Sequence, residues 1–258
     1  RGPPRKGQLM IEAENKSYWT NRAKGYSEVN QVELATRQRE VWRSHITEQI
    51  SRHFPGRPLD TIHVVEVGTG PGFFAIILAE AGCRVTAVDY TPAMLAEARQ
   101  NAGPLADTIT FLEMNAEELS FPDEQFDVVI SRNLTWNLPH PQQAYSEWRR
   151  VLRPNGLLLN FDANWYGYLY DEEKRAAYEE DRRRTAVKGI KDEYTCTNIN
   201  AMESIARQVP LSAIARPAWD LAVLRDLAMD AATDEHIWRR VWSPEEKVNF
   251  HATPLFQI

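Results

Sequence analysis

"VVEVGTGPG", residues 64–72, decides the fold of this chain. The run that ends in it, "TIHVVEV" (61–67), is rich in β-branched residues and stops at glycines 68, 70 and 72. The run that follows, "FFAIILAEAG" (73–82), reads as helix. A buried strand passing through glycines into a helix lets a ligand approach the backbone and the helix N-terminus, because no side chains stand in the way. The spacing is G-x-G-x-G. A dinucleotide turn wants its third small residue at position 73, where helix and strand pack closely, and Phe73 occupies that place. The next strand, "CRVTAVD" (83–89), ends in Asp89, about 20 residues downstream, where a carboxylate binds ribose hydroxyls. Turn and acid together imply an adenosine ligand without a pyrophosphate.

Outward from this turn, short apolar runs alternate with helical patterns, which predicts βαβ units and a mainly parallel sheet. "QVELATRQREVWRSHITEQISRHF" (31–54) is predicted helical up to Pro55-Gly56. "TPAMLAEARQNAG" (91–103) is predicted as a helix with Thr91 as N-cap and Pro92 at its first position. "TITFLEM" (108–114) and "FDVVISR" (126–132) are two further strands, "PQQAYSEWRRVL" (141–152) a helix, and "GLLLNFDA" (156–163) the fifth strand. Residues 164–219 break the pattern, with helical stretches around 171–188 and 199–208 and no clear strand. "WDLAVLRDLAM" (219–229) resumes as helix. "AATDEHIWRRVW" (231–242) and "KVNFHATPLFQI" (247–258) read as closing strands joined across "SPEEK" (243–247). Residues 1–9 are expected to be an appended or disordered segment outside the fold.

Composition narrows the function. The 258 residues, 43% of them hydrophobic, suffice for a substantial core. A formal charge of −6 argues against a dedicated nucleic-acid binder, which needs a basic face. Two cysteines, Cys83 and Cys196, make neither a disulfide framework nor a paired-cysteine metal site, so no structural metal and a reducing, cytoplasmic setting are expected. No apolar run approaches the ~20 residues that cross a bilayer, so no membrane partner is expected.

In order and content, residues from about 60 to 162 resemble the class I S-adenosylmethionine-dependent methyltransferases, in the branch of ubiquinone/menaquinone-biosynthesis and small-molecule enzymes. The resemblance implies a Rossmann-like three-layer α/β sandwich with a mainly parallel seven-stranded sheet, an antiparallel closing strand and a helical lid insertion. It divides the chain into N-terminal helices over the cofactor (10–60), a cofactor-binding core (61–163), a lid or acceptor insertion (164–219), and a C-terminal helix with closing strands (220–258). The implied cofactor is S-adenosyl-L-methionine. Glu66, Gly68, Thr69, Gly70 and Gly72 would line its methionine and ribose. Asp89 matches the acid that holds both ribose hydroxyls, with Tyr90 and Met94 just beyond it.

"FLEMNAEELSFPDEQFDVVIS" (111–131) resembles the family's next segment, with Asn115 where an Asp is usual. An amide oxygen accepts the same hydrogen bond from an adenine amino group. Ala116 would offer its N–H, and Glu117 is the next polar candidate. "EWRRVLRPNGLLLN" (147–160) has Asn155-Gly156 where the family has two glycines. "SYWTNRAKGYSE" (17–28) resembles the N-terminal helix that closes over the methionine end, which makes Tyr18, Arg22 and Tyr26 candidate contacts; a guanidinium suits the cofactor carboxylate.

Methyl transfer from a sulfonium is an in-line displacement, so the protein must chiefly align a nucleophile and exclude water. A base is needed only where the acceptor must lose a proton, and His140 and Asp162 are its candidates. "SRNLTWNLPHP" (131–141) follows the fourth strand. Ser131 and Arg132 are expected to meet the cofactor through their backbone, while Asn133 and Trp136 face the acceptor. Trp165, Tyr166 and Tyr168 are further acceptor candidates, since alternation by two puts the tyrosines on one side of an extended segment. The Asn/Asp-Pro-Pro-aromatic motif of adenine and glutamine-amide methyltransferases is missing from this loop, which disfavours nucleic-acid and amide acceptors and leaves a small molecule as the expected one; separately, a monomer or homodimer is expected.

Plainer readings stand beside these. Asn115 and Glu117 also suit a turn, Tyr18 and Tyr26 a helix core, His140 a helix start, and Trp136 simple packing. "EEDRRRTAVK" (179–188) reads as a solvated helix face. Two other functions compete with methyl transfer. One is a catalytically silent S-adenosylmethionine-binding partner; the other, a nicotinamide oxidoreductase, is opposed by Phe73 and the glycine spacing.

Overall fold

The structure, a computed structural model, describes residues 6–258. Two helices open it, α1 (Lys6–Ala35) and α2 (Gln38–His53). Lys6–Leu9, expected outside the fold, are therefore helical, and the rest of that expected segment lies outside the described residues. The single helix expected over 31–54 breaks at Thr36-Arg37. In α1, Ala23, Ser27 and Asn30 are buried at helical spacing; in α2, Trp42, His45, Ile46 and Ile50 are.

Strands and helices then alternate as β1 (His63–Val67), α3 (Phe73–Glu80), β2 (Arg84–Asp89), α4 (Pro92–Ala102), β3 (Ile109–Glu113), β4 (Phe126–Arg132), α5 (Pro141–Val151) and β5 (Leu152–Asp162). Val64, Val65 and Val67 in β1 and Val128, Val129 and Ile130 in β4 are fully buried, as expected of parallel strands covered on both faces. Val64 pairs with Val85 and with Val128, both in parallel register. Thr91 takes the N-cap position of α4, but its side chain makes no cap bond.

After β5 come α6 (Glu172–Val187), α7 (Ile199–Gln208), α8 (Ala218–Asp226), α9 (Trp238–Val241), α10 (Pro244–Asn249) and a short β6 (Phe256–Gln257). The sheet has six strands in the order β3-β2-β1-β4-β5-β6, and β6 closes it antiparallel to Phe161–Asp162. This is a Rossmann-like α/β arrangement, one strand short of the seven expected.

The missing strand is explained at its own residues. Little of "AATDEHIWRRVW" or "KVNFHATPLFQI" is strand: residues 238–241 and 247–249 are helical, in α9 and α10, Asp234 makes an isolated bridge to Gln257, and Phe256–Gln257 form the two-residue β6. Ser243 and Glu246 form a capping box: the Ser243 hydroxyl accepts the Glu246 N–H at 3.1 Å, and the Glu246 carboxylate accepts the Ser243 N–H at 3.0 Å. With Pro244 at the first helical position, these bonds start a helix where a hairpin was expected. Ser243→Ala is expected to cost about 1 kcal/mol, the usual worth of such a cap. Urea unfolding checks this, and an unchanged midpoint would refute the role of the box.

Backbone packing divides the chain into two compact units. One, here the core unit, holds residues 19–132 and 142–160. The other, the C-terminal unit, holds the chain up to Tyr18, residues 133–141 and residues 161–258. No helix among the described residues is long and apolar enough to cross a membrane.

Candidate functional site

In the core unit the chain leaves β1 through glycines 68, 70 and 72 with φ of +72°, +53° and +93°, a left-handed path that L side chains rarely adopt. The N–H groups of Gly68 and Thr69 both donate to the Val88 carbonyl at 2.9 Å, which ties the turn to β2. Gly70 donates its N–H to Asp89 Oδ2 at 2.9 Å, and Thr91 donates to Oδ1 at 2.9 Å. The Thr91 hydroxyl and the Tyr90 N–H also donate to this carboxylate, which is thus fixed between the glycine turn and the start of α4. Burial pushes the Asp89 carboxyl up, and the N–H donors of Gly70 and Thr91 pull it back toward the charged form.

Two glycines matter for space as well as for φ. A Cβ on Gly72 would lie 2.9 Å from Ala98 Cβ, so α3 and α4 approach closely only with glycine there. A Cβ on Gly70 would lie 3.6 Å from the ring of Tyr26, which places that tyrosine over the turn. Arg22 rests on the same ring, 5.9 Å from its centroid, and Trp19 meets it edge-on at 5.8 Å.

Glu66 sits almost fully buried in β1. Its Oε1 accepts the Thr69 hydroxyl at 2.5 Å and the Ala75 N–H at 3.1 Å, bracing the strand against the first turn of α3. Burial pushes its carboxyl up to about 8, despite those bonds and the Arg132 charge. Ser131 donates its hydroxyl to the Val67 carbonyl at 2.9 Å. Arg132 grips Glu33 with two bonds of 2.7 and 3.0 Å and lies over the rings of Phe74 and Phe73, at 4.8 and 4.9 Å. These internal bonds leave the backbone of 131–132 as the part directed by the end of β4.

Asn115 forms a turn: its Oδ1 accepts the Glu117 N–H at 2.9 Å, and its carbonyl accepts the Glu118 N–H at 3.1 Å. The Ala116 carbonyl accepts the Trp148 indole N–H at 3.0 Å, and the Glu117 carbonyl accepts Gln143 Nε2 at 2.8 Å. Glu117 and Met94 are buried, while Tyr90 is exposed. The core unit thus brings Arg22, Tyr26, the glycine turn, Asp89 and the 115–117 turn into one connected framework.

The C-terminal unit holds Tyr18 and the acceptor candidates. Asn133 has φ of +55°, a conformation Asn tolerates, and its N–H donates to the Phe161 carbonyl at 2.8 Å. Trp136 donates its indole N–H to the Asn133 carbonyl at 3.1 Å and its backbone N–H to Asp162 Oδ2 at 2.9 Å. Asp162 also accepts the Trp165 indole N–H at 3.2 Å and Arg216 Nη1 at 2.6 Å. Burial pushes its carboxyl up and Arg216 opposes this. Every one of these partners is a donor, so a proton on Asp162 would find no acceptor among them. His140 is half-buried, with Nε2 2.9 Å from Gln8 Nε2.

The tyrosines do not follow an extended segment: Gly167–Leu169 turn as a 3-10 helix after Asn164 accepts the Gly167 N–H. The turn still gathers the rings. Tyr166 lies 4.9 Å from Trp136 and 5.8 Å from Tyr168, and Tyr168 stacks on Tyr178 at 3.9 Å. Trp165 packs against Phe250 at 5.3 Å.

Several residues that organise both units escaped the sequence reading. Asn30 caps Phe73 N–H at 3.2 Å, Asn101 holds the Pro71 carbonyl at 3.0 Å, and Glu33 anchors Arg132. Arg216, Asp220, Tyr178, Tyr194 and Glu203 do the same around the aromatic cluster. Their partners lie tens of residues away, beyond what local spacing reveals.

A family model described as a methyltransferase domain matches residues 65–160, the stretch that carries the glycine turn, Asp89 and the 115–117 turn. Over 130 residues the chain is 35% identical to an uncharacterized methyltransferase of Mycobacterium avium (strain 104), covering 50% of this chain and 46% of that protein. Over 159 residues it is 31% identical to a ubiquinone/menaquinone biosynthesis C-methyltransferase of Bartonella tribocorum, covering 58% and 59%. The chain spans about half the length of the curated relatives it matches. A chain of the solved complex between the Haloferax volcanii Trm112 methyltransferase activator and a methyltransferase matches with a TM-score of 0.56 and 17% identity, covering 93% of this chain and 96% of that one. At that identity the likeness is one of fold. The domain match falls on the very residues that build the turn and its acid, so residues 65–160 are similar to a methyltransferase domain, a likeness repeated by the 31% identity with the Bartonella protein.

Proposed function

We propose that the chain transfers the methyl group of S-adenosylmethionine to a small-molecule acceptor by in-line displacement. The observation that carries this reading is Asp89, a carboxylate held at the end of β2 against the left-handed glycine turn by the Gly70 and Thr91 N–H groups. That arrangement fits a ribose diol. The backbone at 68–72 with Glu66 and Thr69 would take the ribose and methionine. Asn115, Ala116 and Glu117 would take the adenine, with Tyr90 and Met94 flanking. Tyr26 and Arg22, and Tyr18 one to two turns earlier in the same helix, would hold the methionine end. When bound, the cofactor supplies an electrophilic methyl already activated by a sulfonium charge, so the protein's own work is binding, alignment and exclusion of water.

Asn133, Trp136, Trp165, Tyr166 and Tyr168 would receive the acceptor. Of the two candidates for proton transfer, Asp162 is occupied by Arg216 and three N–H donors, counting Ala163, so its role is to fix the loop that carries Trp136. His140 is the group left to move a proton. The Bartonella relative's name, a quinone-biosynthesis methyltransferase, supports a small-molecule acceptor.

Calorimetric titration with S-adenosylhomocysteine tests the site. Asp89→Ala removes both ribose contacts and is expected to weaken binding about a hundredfold. Gly70→Arg, which forces a side chain into a left-handed position beneath Tyr26, is expected to abolish it. Undisturbed binding in both variants sinks the assignment. Binding without label transfer from methyl-labelled cofactor to any fraction of a small-molecule extract would favour the silent cofactor-binding protein.

A further inference from the structure

The C-terminal unit carries two polar groups that make no hydrogen bond within it, on two residues that both touch the Trp136 indole. Asn133 Oδ1 is buried with no hydrogen-bond partner. The backbone carbonyl of the same residue accepts the Trp136 indole N–H at 3.1 Å, which ties Asn133 to that ring system. The second group is the Tyr166 hydroxyl. The Tyr168 hydroxyl donates to Glu203 at 2.7 Å and the Tyr194 hydroxyl to the Trp165 carbonyl at 2.9 Å, whereas Tyr166 shows only ring contacts, with Trp136, Tyr168 and Tyr194. A buried amide oxygen without a donor costs about 1–3 kcal/mol, so a ligand that supplies the donor recovers it.

The charge around these groups is one-sided. Guanidinium groups already cover the neighbouring rings, Arg182 over Tyr178 and Tyr194 and Arg175 over Tyr168. Among the described residues none lies over Trp136 or Tyr166. The ionisable groups that act on Tyr166 are Tyr194, Tyr18, Tyr178 and Glu203, all of acid type, and burial adds to them in keeping its phenol protonated. Oxygen and nitrogen acceptors make opposite demands on such surroundings. A hydroxyl must lose its proton as it attacks, and the negative charge it gathers would face an amide oxygen and aromatic faces. An amine attacks as a neutral lone pair and gains positive charge, which aromatic faces and a carbonyl dipole stabilise.

We propose that Asn133 and Tyr166 form the recognition pair for an amine acceptor, with Asn133 Oδ1 accepting an N–H of the amine beside the Trp136 and Tyr166 rings. This rests on the methyltransferase reading. In the reaction the amine lone pair forms the new N–C bond as the methyl–sulfur bond breaks, the bonding electrons stay on sulfur, and the resulting ammonium gives its proton to water. The Tyr166 hydroxyl, kept neutral, offers its proton to a second polar atom of the acceptor.

Isosteric pairs test this: tryptamine against tryptophol, and 2-phenylethylamine against 2-phenylethanol, titrated by calorimetry in the presence of S-adenosylhomocysteine at a pH that leaves a neutral amine fraction. The amine of each pair is expected to bind at least about tenfold more tightly, the margin of one hydrogen bond to a buried group. In Asn133→Gly, which keeps the left-handed backbone, that margin is expected to fall to about threefold or less. Tyr166→Phe, which removes one oxygen and leaves the packing, is expected to weaken both members of a pair alike. Equal or tighter binding of the alcohols overturns the proposal, as does a margin that survives Asn133→Gly in folded protein. So does failure of every probe to bind to protein that still binds S-adenosylhomocysteine. Failure of S-adenosylhomocysteine itself to bind would instead strike the methyltransferase reading on which the proposal stands.

Discussion

Arg216→Ala is expected to destabilise the chain by about 3–5 kcal/mol, the cost of leaving buried charges without their partner. Arg216 is 1% exposed and stands between two carboxylates that are 0% exposed. Its Nη1 donates to Asp162 at 2.6 Å, while Nε and Nη2 fork onto the two oxygens of Asp220 at 3.0 and 2.8 Å. Phe256 lies 5.2 Å beneath the guanidinium and completes the enclosure. Removing the cation leaves Asp162 and Asp220 buried in a medium that penalises each charge, and no water reaches them in the native packing. Arg216→Lys keeps the charge but loses the fork, so it should fall between the alanine variant and the parent. Urea unfolding followed by circular dichroism reads all three. A loss below about 1 kcal/mol in the alanine variant, the worth of a surface pair, would show that the cluster is hydrated and that Asp162 is open to other work.

The same cluster shows which parts of the molecule a sequence can reveal. The glycine turn and Asp89 were legible because the chemistry is local: strand, left-handed turn, helix and next strand follow one another within residues 63–92. β4 is legible to the residue because β-branched Val128, Val129 and Ile130 follow Phe126, interrupted only by Asp127. Arg216 was invisible because its value comes from Asp162, 54 positions away, and nothing in "IARPAWD" marks a buried arginine. Arg132 and Glu33, 99 positions apart, pose the same difficulty. At the C-terminus the reading went astray for a different reason. "KVNFHATPLFQI" has the apolar content of a strand, and four residues upstream Ser243 and Glu246 satisfy one another's backbone so completely that helix wins. Local capping outweighed apolar pattern there. In 165–170 a backbone turn at Gly167 replaced the extended alternation and still brought Tyr166 and Tyr168 together.

Glu66→Gln is expected to make the chain more stable than the parent at high pH and no more stable at low pH. In the folded parent, burial opposes the charge of this carboxyl and pushes it up to about 8, from its ordinary 4.5. Below the unfolded value both states hold the proton, so Glu66 adds no pH dependence. Between the two values the unfolded chain releases its proton and the folded chain keeps it, so stability falls as pH rises, by about 1.4 kcal/mol per pH unit. Above the folded value the loss is complete, on the order of 5 kcal/mol. Glutamine never ionises, and its amide oxygen accepts the same Thr69 hydroxyl and Ala75 N–H. Parent and variant should therefore unfold at similar urea concentrations near pH 4.5 and separate progressively toward pH 8.5. Other titrating groups are common to both proteins and cancel in the difference. Curves that stay parallel across this range would mean that Glu66 is ionised in the folded state, stabilised by Arg132 beyond the penalty of burial. The proton also bears on the site: below pH 8 the braced carboxyl is neutral, and at higher pH a negative charge appears next to Asp89 and the glycine turn. Affinity for S-adenosylhomocysteine should then change across the same interval in the parent and stay level in the variant, which makes the binding titration a second, independent reading of one ionisation.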